Sequence, residues 1–218
     1  QDQLLWEELA PAAEPAPDVP AALAPGAGAG AGGAPRADAL EVKLFGPFEA
    51  RRAGVLLDQW PRKKAKLMLA SLALYPRGLD VAELADLWGE AEATKQLHVT
   101  MRVNVLALRR VLEPALPKGE DSGYVAFEHD RYRLVAAAAR ADVQAFEGAI
   151  ARAERLRRAD PAAACAPYAE ALAAYRGNLL EDPAFHGYFE AERTRYRQQA
   201  LDGLFHLAAH GPQARLAF

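Results

Sequence analysis

The residues best able to do chemistry in this chain are cations, and they fall on three short stretches. Arg62, Lys63, Lys64 and Lys66 crowd the first, while Lys95, Gln96, Val99, Thr100, Arg102 and Val103 share the second, with Arg110 beyond them. His129, Arg131 and Arg133 make the third. Ammonium and guanidinium groups hold phosphate oxygens, and Arg, Lys, Gln and Thr on one helix face match the donors and acceptors of base edges. Valine methyl groups add the apolar contact that a thymine methyl can receive. A catalytic constellation is not expected. His98, His129, His186, His206 and His210 have no metal-ligand spacing. His206 and His210 stand four apart, but no Glu follows the first and no third ligand is supplied. Gly26–Gly33 follows no strand pattern and carries no Lys-Ser/Thr, so it is no phosphate loop. Glu181-Asp182 reads as a helix entry and not as an acid–base dyad. Cys165 is the single cysteine, which leaves no intrachain disulfide or multi-cysteine metal site and suits a reducing setting.

Three kinds of element must position the cations. From Leu40, alternation in Glu41-Val42-Lys43-Leu44-Phe45, a turn at Gly46-Pro47, a second run Phe48-Glu49-Ala50-Arg51, and Val55-Leu56-Leu57 after Gly54 predict a small antiparallel sheet. Pro61 suits the first position of a helix that carries the first cation cluster and stops at Pro76 and Gly78. Asp80 caps a short helix whose Val81, Leu84, Leu87 and Trp88 face inward, ended by Gly89. A third helix is expected from about Ala93 to Leu112, with Leu97, Met101, Val105, Leu108 and Leu112 as its buried stripe. Its outward and lateral positions are Lys95, Gln96, Val99, Thr100, Arg102, Val103, Leu106 and Arg110. The two valines are expected either to meet thymine methyls or to tuck beneath the hairpin that follows. In that hairpin Tyr124–Phe127 and Arg131–Val135 flank Glu128-His129-Asp130. Sheet, three helices and closing hairpin are the order of a winged helix.

Beyond Arg140 the pattern is wholly helical. Asp142 is expected to cap Val143–Arg158, Asp160-Pro161 to open a second helix to Tyr175, and a third to run from about Phe185 to His210. Closely spaced alanines (Ala162, Ala163, Ala164, Ala166, Ala169, Ala171) suit stacked helical hairpins. About one and a half repeats are present, fewer than such stacks normally need to cover their apolar faces.

Composition sets the outer limits. Of 218 residues 51% are hydrophobic, yet no stretch approaches the roughly 20 apolar residues of a membrane helix. Residues 10–39 are dominated by Pro, Ala and Gly and read as a tether. No signal peptide is expected, and Leu4-Leu5-Trp6-Glu7-Glu8-Leu9 reads as the end of a helix, so the chain is expected to be part of a larger protein. The net charge of −3 is uneven: residues 1–39 carry −5, residues 40–135 carry +2, and residues 136–218 are neutral. A surplus of +2 is weak, so the placement of the cations matters more than their number.

Residues 41–135 resemble a response-regulator-type winged helix through Leu44-Phe45-Gly46-Pro47-Phe48, Arg62-Lys63-Lys64-Ala65, Leu84-Ala85-Asp86-Leu87-Trp88, Val103 to Arg109-Arg110-Val111-Leu112, and Tyr132-Arg133-Leu134. Tyr168-Ala169-Glu170-Ala171-Leu172, Tyr175-Arg176-Gly177-Asn178-Leu179-Leu180 and Glu192-Arg193 resemble the opening of a bacterial transcriptional activation domain (BTAD), which is tetratricopeptide-like. The joined pair looks like the antibiotic-regulatory class of bacterial transcriptional activators, over about three quarters of the chain. The fold expected is an α+β winged helix followed by an all-α helical-repeat domain. The divisions are residues 1–39 for a preceding end and linker, 40–136 for the winged helix and 140–218 for a partial activation domain. The resemblance implies a cytoplasmic regulator bound to double-stranded DNA. Its helical part would meet RNA polymerase or a sister subunit, with no membrane and no small-molecule cofactor. Base readout is expected from Lys95, Gln96, Val99, Thr100, Arg102 and Val103. Phosphate or wing contact is expected from Arg62, Lys63, Lys64, Lys66, Arg110, His129, Arg131 and Arg133. The contrasting expectation is a protein-interaction scaffold whose winged helix no longer binds DNA.

Overall fold

The alternation that starts at Leu40 becomes strand β1 (Leu40–Lys43), which pairs antiparallel with β2 (Glu49–Arg52); β2 pairs with the two-residue β3 (Val55–Leu56). The computed structural model describes residues 38–89, 95–117, 119–135 and 139–211. Residues 10–37 of the expected tether, Leu4–Leu9, Gly26–Gly33 and the helix start at Ala93 lie outside them.

The helices follow in the expected order. They are α1 (Lys63–Leu74), α2 (Val81–Leu87) and α3 (Lys95–Leu112), then the hairpin β4 (Val125–Glu128) and β5 (Arg131–Leu134). Helix α1 starts two residues later than expected, with Arg62 as its extended N-cap. Asp80 caps α2 as expected: its carboxylate accepts from the Glu83 amide at 2.8 Å, and Glu83 accepts from the Asp80 amide at 3.0 Å. Such a reciprocal box contributes about 0.5–2 kcal/mol. Trp88 Nε1 donates to buried Ser71 Oγ, tying α2 to α1. The stripe of α3 is buried at all five expected positions, and Asn104 and Ala107 widen it.

The chain does not turn wholly helical after Arg140, and the sheet is not purely antiparallel. Residues Ala139–Ala141 form β6, which runs parallel to β1 and completes a sheet of order β3-β2-β1-β6. Its Ala-Arg-Ala sequence carries no strand signal, and only pairing with β1 makes it one. Helix α4 (Asp142–Arg157) then begins with Asp142 serving another element. Its carboxylate accepts from the amides of Leu44 and Phe45, at 2.8 and 3.1 Å, so it holds the end of β1 and does not cap its own helix. Gln144 closes that end by accepting from the Ala141 amide at 2.8 Å and donating to the Ala73 carbonyl at 2.7 Å.

Helix α5 (Cys165–Ala174) starts four residues after Pro161 because 161–164 form turns, with the Ala163 amide donating to Asp160. Helix α6 (Glu190–His210) ends as expected but begins late. A 3-10 turn at Pro183–Phe185 and Phe189 at φ +62° intervene. The segment after α5 returns to β1: Gly46 N donates to Asn178 O at 2.8 Å and Leu180 N to Leu44 O at 2.7 Å. Phe45 sits fully buried at this joint, its ring 5.2 Å from Phe146, 4.9 Å from Tyr175 and 5.4 Å from Tyr196. One hydrophobic core therefore runs from the sheet and α1–α3 into α4–α6.

Candidate nucleic-acid interface

Helix α3 has 18 residues and rises about 27 Å. It contains Lys95, Arg102, Arg109 and Arg110 and no carboxylate. Opposite its buried stripe, Gln96, His98, Val99, Arg102 and Arg110 are exposed, and Thr100, Val103 and Leu106 are half-buried. Val99, at 44% exposure, is open to a partner and not tucked under the hairpin. Lys95 opens the helix, but its side chain lies outside the description. His98, one turn before Arg102 on the same side, joins this face, and its i, i+4 spacing from Arg102 is the sequence signal for it.

Arg109 turns the other way. Its Nη2 donates to the Val125 carbonyl at 2.9 Å and so joins the last turns of α3 to β4. Burial pushes the Tyr132 hydroxyl above its ordinary value, while the positive charges of Arg102 and Arg109 pull it down. Arg102, though exposed, also hydrogen-bonds the Tyr132 hydroxyl on β5. The hairpin is further held by the loop between α1 and α2, where Leu79 and Tyr132 exchange two backbone hydrogen bonds of 2.8 Å. Gly78 enables that approach. It adopts φ +81°, and a Cβ there would lie 2.6 Å from the Tyr132 carbonyl oxygen.

The remaining expected contacts separate into exposed and engaged groups. Arg62 and Lys63 are exposed. Lys64 is half-buried with its Nζ 5.7 Å from the Trp88 ring centre. Lys66 faces the helical part: its Nζ is 2.8 Å from Asp182 Oδ2 and lies over the rings of Phe48 and Phe185 at 5.0 and 5.3 Å. His129 and Asp130 form the hairpin tip, both at positive φ, 51° and 59°. That is the backbone of a type I′ turn. Arg131 bonds Asp80, Glu83 and Gly78, and Arg133 is held by both oxygens of Glu128. Fold position thus gathers Gln96, Val99, Arg102 and the flanking residues of α3 on one face, while Lys66 leaves that group.

A cleft of about 1020 Å³ lies between the α1–α2 loop and the start of α6, lined by Arg77, Arg131 and Arg195 against five carboxylates, Glu147 and Glu192 among them. That sign disfavours a polyanion, so the cleft is a poorer phosphate site than α3. Among the described residues, no three His, Cys, Asp or Glu side chains could hold a metal ion. Nor is any described helix long and apolar enough to cross a membrane.

Residues 141–214 match a family model described as bacterial transcriptional activator domain (BTAD). No curated protein matches the chain. Among solved structures, Mycobacterium tuberculosis EmbR in complex with a low affinity phosphopeptide is similar with a TM-score of 0.56 and 21% sequence identity. The similarity covers 78% of this chain and 44% of that one, so the chain spans less than half of the protein it resembles. The helical part is therefore similar to a bacterial transcriptional activator domain, on a fold similar to that of EmbR.

Proposed function

We propose that residues 40–136 are a winged helix that binds duplex DNA, with α3 in the major groove and the β4–β5 hairpin as its wing. The observation that carries this reading is the exposed face of α3, which places Arg102, Arg110 and the Gln96 amide opposite the buried stripe without a single carboxylate. Gln96 and Arg102 are the base-edge readers, and Lys95, Thr100 and Val103 flank them. Val99 supplies apolar contact to a thymine methyl. Arg62 and Lys63 at the start of α1, with Arg110 at the far end of α3, meet phosphates. The chain would then act in a cytoplasmic bacterial transcriptional activator without enzymatic activity or cofactor. Its helical part would engage RNA polymerase or a sister subunit.

The scaffold reading draws on one observation, the 44% exposure of both Val99 and Phe127, which a protein partner would cover as readily as DNA. Fluorescence anisotropy with a labelled random duplex separates the two. Three cations meeting phosphates give a slope of log affinity against log salt of about −3. No binding at low salt, or binding indifferent to salt, supports the scaffold instead.

A further inference from the structure

We propose that Arg131 is a positioning residue of the wing and not a phosphate ligand: its guanidinium locks β5 to the capping box of α2, which fixes the hairpin relative to α3. The inference rests on the DNA-binding reading and names a residue on which its geometry depends. Nη2 of Arg131 donates to Glu83 Oε2 at 2.6 Å and to the Gly78 carbonyl at 2.9 Å, while Nη1 reaches Asp80 Oδ2 at 3.3 Å. Asp80 and Glu83 are the two residues whose side chains cap α2. One planar fork thus ties the helix cap, the glycine turn before it and the strand beyond the wing tip. A lysine would offer a single point charge in place of this planar fork.

The charges point the same way. Arg131 faces two carboxylates, so that corner of the wing carries a net negative charge before any DNA arrives. Arg133 is held by Glu128 at 2.8 and 2.9 Å. With Asp130 at the tip, the span 128–133 holds as many acids as strong bases, leaving His129 aside. The wing would then supply shape, and the electrostatic attraction would come from α3 and the start of α1.

The test uses the full chain and a duplex recovered from a random library by the wild-type protein. Three variants are compared: Arg131→Gln, Arg131→Lys and Glu83→Gln. Glutamine at position 83 still reaches the Asp80 amide, so the cap survives while the charge is lost. All three should weaken binding roughly tenfold at every salt concentration, with the salt slope unchanged. The amides of Leu79 and Tyr132 should lose hydrogen-exchange protection in the same variants. A phosphate ligand behaves differently. Arg131→Gln would then lower the slope by about 0.9, Arg131→Lys would bind like wild type, and Glu83→Gln would release the guanidinium and tighten binding. That pattern overturns the inference. If the wild-type chain binds no duplex, the DNA reading fails on its own. Exchange at Leu79 and Tyr132 then decides the brace, and unchanged protection in all three variants refutes it.

Discussion

Helices α3 and α6 are the two longest in the molecule as described, and their outer faces are built oppositely. On α3 the described exposed side chains are Gln96, His98, Val99, Arg102 and Arg110, and the helix itself contributes no acid. On α6 two cations are turned onto the protein itself. Arg193 donates to the carbonyls of Leu179 and Leu180 and pairs with Glu190, and Arg195 pairs with Glu147. Beside its exposed polar residues, α6 leaves three large apolar side chains open: Leu201, Leu204 and Phe205 are 37%, 51% and 70% exposed. A helix with unneutralised cations suits a polyanion, whereas one with paired charges and a bare apolar patch suits another apolar surface. Both helices nonetheless pack onto the same hydrophobic core, of which Phe45 is a part.

The largest effect should come from that shared core. Phe45→Ala removes a fully buried ring from contact with Phe146, Tyr175 and Tyr196 and should cost about 3–5 kcal/mol. Thermal melting followed by circular dichroism should show one transition in wild type and variant. Two separable transitions would mean that the α3 and α6 regions fold independently. Next, Leu204→Ser combined with Phe205→Ser should weaken self-association at least tenfold by sedimentation, roughly the burial of one large apolar side chain. DNA affinity should not change, because the face concerned is not that of α3. Loss of DNA binding in this variant would break the division of labour.

A smaller effect tests how α6 is fastened. Tyr75, the C-cap of α1, donates to Glu192 at 2.5 Å, and Tyr196 donates to Glu147 at 2.7 Å. Burial first, and these carboxylates second, hold both hydroxyls above the ordinary tyrosine value. The folded values are raised, so the stabilisation is present below about pH 10 and fades as pH climbs past it. Tyr75→Phe should lose about 1 kcal/mol at pH 7 and flatten the alkaline decline between about pH 10 and 11. An unchanged decline would show that the hydroxyl does not fasten α6 to α1. Smallest of all, Asp130→Gly relieves a positive-φ residue in the type I′ turn and should stabilise the protein by about 0.5–1 kcal/mol in a urea titration. Destabilisation would mean the carboxylate has a role that the turn geometry does not reveal.

The periodic elements were legible in the sequence, and the long-range pairings were not. The stripe from Leu97 to Leu112 follows from helical spacing alone, and the Asp80/Glu83 box is local over three residues. Strand β6 was hidden because Ala-Arg-Ala becomes a strand only through its partner β1, about 100 residues earlier. Asp142 was read as a local cap for the same reason: its acceptor role is spent on Leu44 and Phe45. At the candidate site, exposure of Gln96, Val99 and Arg102 could be read from the helical wheel. The fate of Lys66 and Arg131 could not, since Asp182 and Glu83 are distant in sequence and their pairing is a property of the fold.

The most direct test of α3 as the reading helix is binding-site selection from a random duplex library with three proteins: wild type, Arg102→Ala, and Arg62→Ala combined with Lys63→Ala. Arg102→Ala should cost roughly 1–3 kcal/mol on the wild-type site and relax the selected motif at one or two positions. The Arg62 and Lys63 pair should leave the motif intact, weaken all sequences alike and lower the salt slope by about two. A motif that survives Arg102→Ala but changes with the α1 pair would contradict the assignment.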